Sequence, residues 1–436
     1  MKKTTRRYFL KASALSAASM VAGCAVNPVT GESQLMLLSE NQEIAIDHQN
    51  NPHQFSSDYG LVQDPALNAY LDRTGRRIAS FTHRPQLPYS FNCVNAVYVN
   101  AYAFPGGTIG VTRGILLAMT NEAELAALLG HELGHINARH TAQQMSKSTL
   151  VQALSSGLTA LAGAQSQAYG QLASQVSTLG AGALLASYSR ENEREADSLS
   201  MEYMVRAGYN PAGVLELMGM LTRMSQHQPS ALEMMFATHP MSSERYGDAQ
   251  SNLQNRYAHA QDLPFFGERY MDNTASLRAK KVAIIATQDA EKALAKKNIS
   301  EAETLLKTAL ASSPNDYTAL CLMTKLQLIN NNDAQALSFG QRAIKSYPQE
   351  AQGYFFAGLA NIRMKRYQAA LSNFQQNLQL LPGNPNTNFY LGLSFEGLQK
   401  TQQAAQQYIT YLQSVRQGDN AQHAYQQLSK WGYVTN

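Results

Sequence analysis

The chain has 436 residues, of which 44% are hydrophobic and 15% charged, with a formal net charge of +4 and three cysteines. That length suits two domains, and that composition excludes both a disordered polyelectrolyte and a disulfide framework. Five basic side chains and no acid fall in residues 1–23, so the remainder is near −1 and has no basic stripe that would suit nucleic acid.

Residues 1–23 read as a targeting segment that takes no part in the fold. Lys2, Lys3, Arg6, Arg7 and Lys11 precede a mildly apolar stretch from Ala12 to Gly23. Thr5-Arg6-Arg7-Tyr8-Phe9-Leu10-Lys11 resembles a twin-arginine export signal, with a general secretory signal as the alternative. Val21-Ala22-Gly23-Cys24 resembles a lipobox, in which Cys24 is lipidated and becomes the mature N-terminus. The expectation is a bacterial lipoprotein in the periplasm, anchored to a membrane, the outer one in preference. Residues 24–62 are expected to form a linker and a helix. Cys93 and Cys321 fall in different expected domains, and their pairing stays open.

A domain is expected over 63–250, with a small sheet near Leu87–Thr112. His131-Glu132-Leu133-Gly134-His135 is an H-E-x-x-H pattern within a helix that Thr120 or Asn121 can cap, with Glu122 and Glu124 in the first turn. Residues four apart share a helical face, so both imidazoles can meet one metal ion while Glu132 handles a water beside it. Ala123, Leu125, Ala126, Ala127, Leu128 and Leu129 make the helix apolar on most sides, and burying two histidines and a glutamate there is costly without a cation.

A third protein ligand is required. His140 follows His131 by nine residues. On one continuous helix it faces the opposite way, so it reads as solvated or hydrogen-bonded with no metal role. Residues 148–189 carry no charge, and Ser155, Ser156 and several glutamines interrupt every apolar run. A membrane span is therefore not expected; packed helices are, with a pair resting on lipid or covering the cleft as the alternative. Glu191, Glu193, Glu195 and Asp197 then crowd four acids into seven residues. Glu193 and Asp197 share one face and Glu191 and Glu195 another, and periodicity alone does not choose between them. A solvated face with Arg190 and Arg194 as counterions stays open too.

Residues 251–282, with Pro264-Phe265-Phe266-Gly267, read as a connecting segment. Over 283–436 the chain repeats: Pro314, Pro348 and Pro382 are 34 residues apart, and Ala302, Ala336, Ala370 and Ala404 keep the same period. Gly358 with Gly392, and Phe374 with Tyr408, repeat it. This is the tetratricopeptide signature. About four repeats fit between Ala283 and Gly418, with a capping helix around Ala421–Lys430, and such a solenoid presents a surface suited to protein partners.

Taken together, these motifs resemble the gluzincin peptidases related to HtpX and to the CAAX prenyl protease. In that family H-E-x-x-H is followed at long range by E-x-x-x-D, here Glu193-Arg194-Glu195-Ala196-Asp197. The resemblance implies one zinc ion per chain bound by His131, His135 and Glu193, with Glu132 as catalytic base and Asp197 orienting a ligating histidine. Asn100-Ala101-Tyr102-Ala103-Phe104-Pro105-Gly106-Gly107 resembles the family's edge strand beside the cleft. It implies that Asn100, Ala101 and Ala103 bind an extended substrate by β-addition. Thr238-His239-Pro240, followed by Arg245, resembles a T-H-P motif of the periplasmic members. There the histidine lies near the zinc, as a catalytic donor to the transition state or as occupant of the open metal position; the plain alternative is a turn residue. Asn27-Pro28-Val29-Thr30-Gly31 looks like lipoprotein peptidases of the same group.

The implied fold is mostly α, a zincin-type metallopeptidase domain with a small β-sheet followed by an α-solenoid of tetratricopeptide repeats. The implied function is a zinc endopeptidase of the bacterial cell envelope that hydrolyses misfolded or stalled outer-membrane proteins, its repeats recruiting clients or assembly partners. The alternative is a chaperone or scaffold lipoprotein with a latent, self-inhibited zinc site.

Overall fold

The computed structural model describes residues 24–155, 188–227 and 232–434. Residues 1–23, expected to be an export signal, the side chain of Cys24 and the greater part of the uncharged 148–189 stretch lie outside the described residues. The fold is mostly helical, with two small sheets. It opens as a hairpin, β1 (Cys24–Val26) antiparallel to β2 (Ser33–Leu35). Asn27-Pro28-Val29-Thr30-Gly31 is its turn: the Asn27 carboxamide oxygen accepts from the Val29 amide at 2.8 Å, and Gly31 takes a φ of 74° that costs glycine little. Helix α1 (Glu40–Ser57) begins at a capping box of Ser39 and Gln42, and α2 (Pro65–Ala79) begins at an Asp64 cap with proline in its first turn.

A three-stranded sheet follows in the order β3 (Ser90–Val94), β5 (Thr108–Thr112), β4 (Ala101–Ala103), parallel between β3 and β5 and antiparallel between β4 and β5. Strand β4 therefore lies on an edge. Helix α3 (Arg113–Ala118) leads to α4 (Glu122–Asn137), which Asn121 and Glu124 cap reciprocally and whose every residue is buried. Gly130 and Gly134 of α4 face α6 (Arg190–Arg206): a Cβ on Gly134 would stand 2.9 Å from the Ala196 Cα, and one on Gly130 2.9 Å from the Ser200 Oγ. Only bare glycines let the two helices come this close. Helix α4 ends at Asn137; Arg139, at φ 61°, turns the chain into α5 (His140–Ser155).

Helices α7 (Gly213–His227), α8 (Glu233–Thr238) and α9 (Ser243–Asn255) pack around this pair. Residues 251–282 both connect and pack. In α10 (Gly267–Asn273), Tyr270 is fully buried and donates to the Leu116 carbonyl at 2.6 Å, while Arg269 meets Glu122 at 2.5 Å. A short α11 (Ala275–Arg278) then leads to the solenoid.

The solenoid has four helix pairs: α12 (Lys281–Ala295) with α13 (Ile299–Ser312), α14 (Tyr317–Ile329) with α15 (Asp333–Ser346), α16 (Ala351–Arg363) with α17 (Tyr367–Leu380), and α18 (Pro385–Gly397) with α19 (Thr401–Ser414), closed by α20 (Asp419–Lys430). The 34-residue period has a steric cause. Ala302, Ala336, Ala370 and Ala404 are wholly buried, and a Cβ on Gly358 would stand 2.7 Å from the Phe374 ring; one on Gly392 would strike Tyr408. Lys297, Asn331, Lys365 and Gln399 each take a left-handed φ at the turn inside a pair. None is glycine, so this repeat feature carried no sequence signal.

The first repeats clasp the domain that precedes them. Arg113 makes a bidentate, buried pair with Asp316 at 2.6 and 2.9 Å, and Thr318 donates to the Asn95 carbonyl at 3.0 Å. Tyr59 packs among the solenoid's apolar side chains, with the Lys325 ammonium 3.0 Å from its hydroxyl. Cys93 and Cys321 are buried free thiols, one on each side of this junction. Among the described residues no helix is long and apolar enough to cross a membrane.

Removing one partner of a buried pair leaves the other charge uncompensated. Arg113→Ala is expected to lower the unfolding free energy by about 3–5 kcal/mol, read by urea denaturation. The apolar double replacement Arg113→Met with Asp316→Leu should recover most of that; a single variant as stable as wild type would contradict the clasp.

Candidate metal centre

The close contact of α4 and α6 brings His131, His135 and Glu193 to one point, and His239, at the C-terminal end of α8, joins them there. His131, His135, Glu193 and His239 are all buried, and one donor atom from each lies within 4.8 Å of the others. The Nε2 atoms of His131 and His135 stand 3.0 Å apart; Nδ1 of His239 is 3.2 Å from the former and 3.0 Å from Oε1 of Glu193. Oε1 of Glu193 is 3.3 Å from Nε2 of His135. A tetrahedron of nitrogen and oxygen ligands at zinc bond lengths has edges of about 3.3 Å, so the cluster has the dimensions of a metal site. Its donor set fits as well. Burial lowers the His135 imidazole well below its ordinary pKa, favouring the neutral form. Burial alone would raise Glu193, but the charge of His131 and hydrogen bonds from His135 and His239 hold its carboxyl far below the usual range. A neutral imidazole and an ionised carboxylate are the forms a metal takes.

The layer around the four is equally specific. Nδ1 of His131 lies 2.9 Å from Oδ1 of Asp197, one turn beyond Glu193 on α6. Arg245 of α9 grips both oxygens of Asp197 at 2.6 and 2.8 Å and reaches Oε2 of Glu193 at 2.5 Å. The three groups form one buried charge network, with the guanidinium fork spanning two carboxylates. The Tyr188 ring stacks on His135 at 3.8 Å between centroids. Of the two acid pairs that periodicity left open, Glu193 and Asp197 face α4; Glu191 is exposed, and Glu195 meets His140 at 3.1 Å.

Glu132 is buried beside the cluster, 3.7 Å from Nε2 of His239, and neither carboxylate oxygen has a hydrogen-bond partner among the described residues. Burial raises its carboxyl above the usual range, against the lowering pull of His239 and His131. An orphaned buried carboxylate next to a metal cluster is poised to accept a proton from a water placed between them. Along α4 runs the edge strand. Thr112 donates to the Asn100 carbonyl at 3.0 Å and Phe104 to the Thr108 carbonyl at 2.8 Å, which sets the ladder's phase. Tyr102 therefore pairs inward with Gly110, and the N–H and C=O of Ala101 and Ala103 point away from the sheet. Asn100 is fully buried, its carboxamide without a partner among the described residues. An apolar cavity of about 30 Å³ opens on His131 and His239, lined by Leu128, Val214, Leu217 and Met235.

In the sequence Arg245 stands out only as a follower of Thr238-His239-Pro240, and Tyr188 has no assigned role. His140 is hydrogen-bonded and outside the four-donor cluster, as expected, but it does not face away: the break after Asn137 brings its Nδ1 to 2.9 Å from Nδ1 of His135. Arg245 has the clearest consequence. Groups that orient ligands typically govern 10–100-fold in metal affinity, so Arg245→Leu is expected to weaken zinc binding by about that factor in a chelator competition. Unchanged affinity in a folded variant would contradict the network.

Residues 65–252 match the family model described as Peptidase family M48. The Beta-barrel assembly-enhancing protease of Yersinia pestis is 27% identical over 384 residues, covering 82% of this chain and 78% of that protein. The protein of the same name from Escherichia coli (strain K12) is 26% identical over 303 residues, and the match spans 64% of this chain and 61% of that relative's length. Among solved structures, the tetratricopeptide protein YrrB is 14% identical with a TM-score of 0.32, covering 47% of this chain and 97% of that one, a likeness too remote to add to the helix pairs above. With its buried H-E-x-x-H helix, the segment 65–252 is a peptidase domain of family M48, and the chain that carries it is a metallopeptidase.

Proposed function

We propose that this chain is a zinc endopeptidase of the bacterial cell envelope, held to a membrane through lipid on Cys24, that cleaves misfolded or stalled outer-membrane proteins. The observation that carries the reading is the convergence of His131, His135, Glu193 and His239 beside the unpartnered carboxylate of Glu132. Zinc suits nitrogen and carboxylate donors at these spacings, and when bound it supplies a Lewis acid that makes water a nucleophile near neutral pH. Glu132, buried and unpartnered beside the four donors, would take the proton of a water attacking the scissile carbonyl and pass it to the leaving amine. Asp197 and Arg245 keep His131 and Glu193 in place. The outward backbone groups of Ala101 and Ala103, in the strand that Asn100 precedes, hold the substrate extended. The client class draws on the names of the Yersinia and Escherichia relatives, and the periplasmic address on the lipobox-like Val21-Ala22-Gly23-Cys24. The solenoid recruits clients or assembly partners.

A second reading has its own support. A metal held by four protein ligands offers no open position. With His239 in the fourth place the centre is closed, and the chain works as a scaffold until His239 withdraws.

Two variants separate these outcomes in a casein cleavage assay with metal analysis. Glu132→Gln is expected to keep one zinc per chain and to lose at least about a hundredfold in cleavage, the scale of a general base. Full cleavage by that variant would refute the mechanism. His239→Ala is expected to raise cleavage by opening the fourth position; a fall would instead make His239 a donor to the transition state.

A further inference from the structure

The two histidines of H-E-x-x-H are supported differently. Asp197 meets His131 directly, whereas His135 meets a second imidazole. Nδ1 of His135 lies 2.9 Å from Nδ1 of His140, and Nε2 of His140 lies 3.1 Å from Oε2 of Glu195. His140 is 3% exposed, so its ring is shielded from bulk water, while Glu195 at the far end is partly exposed. The turn that brings it there is itself held: Arg139, in the left-handed region, reaches Oε1 of Glu43 at 2.9 Å and donates to the Leu38 carbonyl at 2.7 Å. The left-handed region is unfavourable for a residue with a Cβ, so the fold retains this turn against its local preference.

The arrangement has one consistent set of proton positions once a metal is bound. His135 turns Nε2 toward His131 and Glu193, so Nε2 is the coordinating atom and carries no proton. A neutral imidazole then carries its proton on Nδ1, which donates to Nδ1 of His140. His140 must accept there, so its own proton sits on Nε2 and is donated to Glu195. We propose that His140 and Glu195 are positioning residues, an imidazole–carboxylate relay that fixes the tautomer and ring plane of the metal ligand His135. This rests on the metal reading above. Helix α6 thereby serves the centre three times, with Glu193 on the metal, Asp197 on His131, and Glu195 on His135 through His140. Tyr188, stacked on the face of His135, completes the hold.

The test is zinc affinity by competition with a chelating dye at fixed pH, on wild type, His140→Asn and His140→Leu. The Asn carbonyl oxygen occupies the place of Nδ1 and accepts from His135; Leu accepts nothing. Leu is expected to weaken zinc by about 10–100-fold and Asn to restore most of that loss. A merely space-filling role would make the apolar Leu the better substitute, and a Leu variant that binds zinc as tightly as wild type would overturn the relay. Should the Leu variant not fold, nitrogen–proton correlation spectra of the zinc-loaded wild type decide. A His140 ring protonated only on Nε2 supports the proposal, and one protonated on Nδ1 overturns it. A wild type that binds no zinc would defeat the metal reading and the relay with it, whereas tight zinc in both wild type and Leu defeats the relay alone.

Discussion

The chemistry of this protein depends on how closely two helices can pack. Helix α4 carries His131, Glu132 and His135; α6 carries Glu193 and Asp197, and neither helix makes a site alone. Gly130 and Gly134 remove the side chains that would hold them apart, so that Ala196 and Ser200 sit against bare backbone. A methyl group at Gly134 would meet a Cα, which cannot yield as a flexible side chain could. The glycine inside His131-Glu132-Leu133-Gly134-His135 is thus as much a requirement of the centre as its ligands.

Burying so many polar groups would be prohibitive unless each had a counterpart. The structure supplies them in layers. Arg245 bridges Glu193 and Asp197, Asp197 answers His131, and His140 links His135 to Glu195. What these layers leave over is informative. Glu132 keeps both oxygens unmatched among the described residues, and the four central donor atoms face one another within 4.8 Å. A cation and a water are the species that would complete them.

The sequence disclosed those features whose cause is local. An i, i+4 histidine pair shows in the sequence because the helix sets it, and the 34-residue period shows because each alanine and glycine answers a steric need within its own helix pair. Glu193 was different: spacing allowed Glu191 with Glu195 equally well, and only family resemblance preferred Glu193 with Asp197. His140 was misplaced because nothing local announces a left-handed arginine at 139. Arg245 joins Asp197 across 48 residues and Arg113 joins Asp316 across 203, and pairings at such range leave no mark in composition or periodicity. The clasp between peptidase domain and solenoid was for that reason invisible, although it ties the repeats to the domain that carries the four-donor cluster.

The central claim is that His131, His135, Glu193 and His239 enclose one metal ion. Anomalous diffraction at the zinc absorption edge, from crystals of the zinc-loaded chain, tests it directly. The account predicts a single peak about 2.0–2.2 Å from Nε2 of His131, Nε2 of His135 and a Glu193 oxygen, with Nδ1 of His239 completing or flanking the set. No peak there, or one held by other residues, would contradict it.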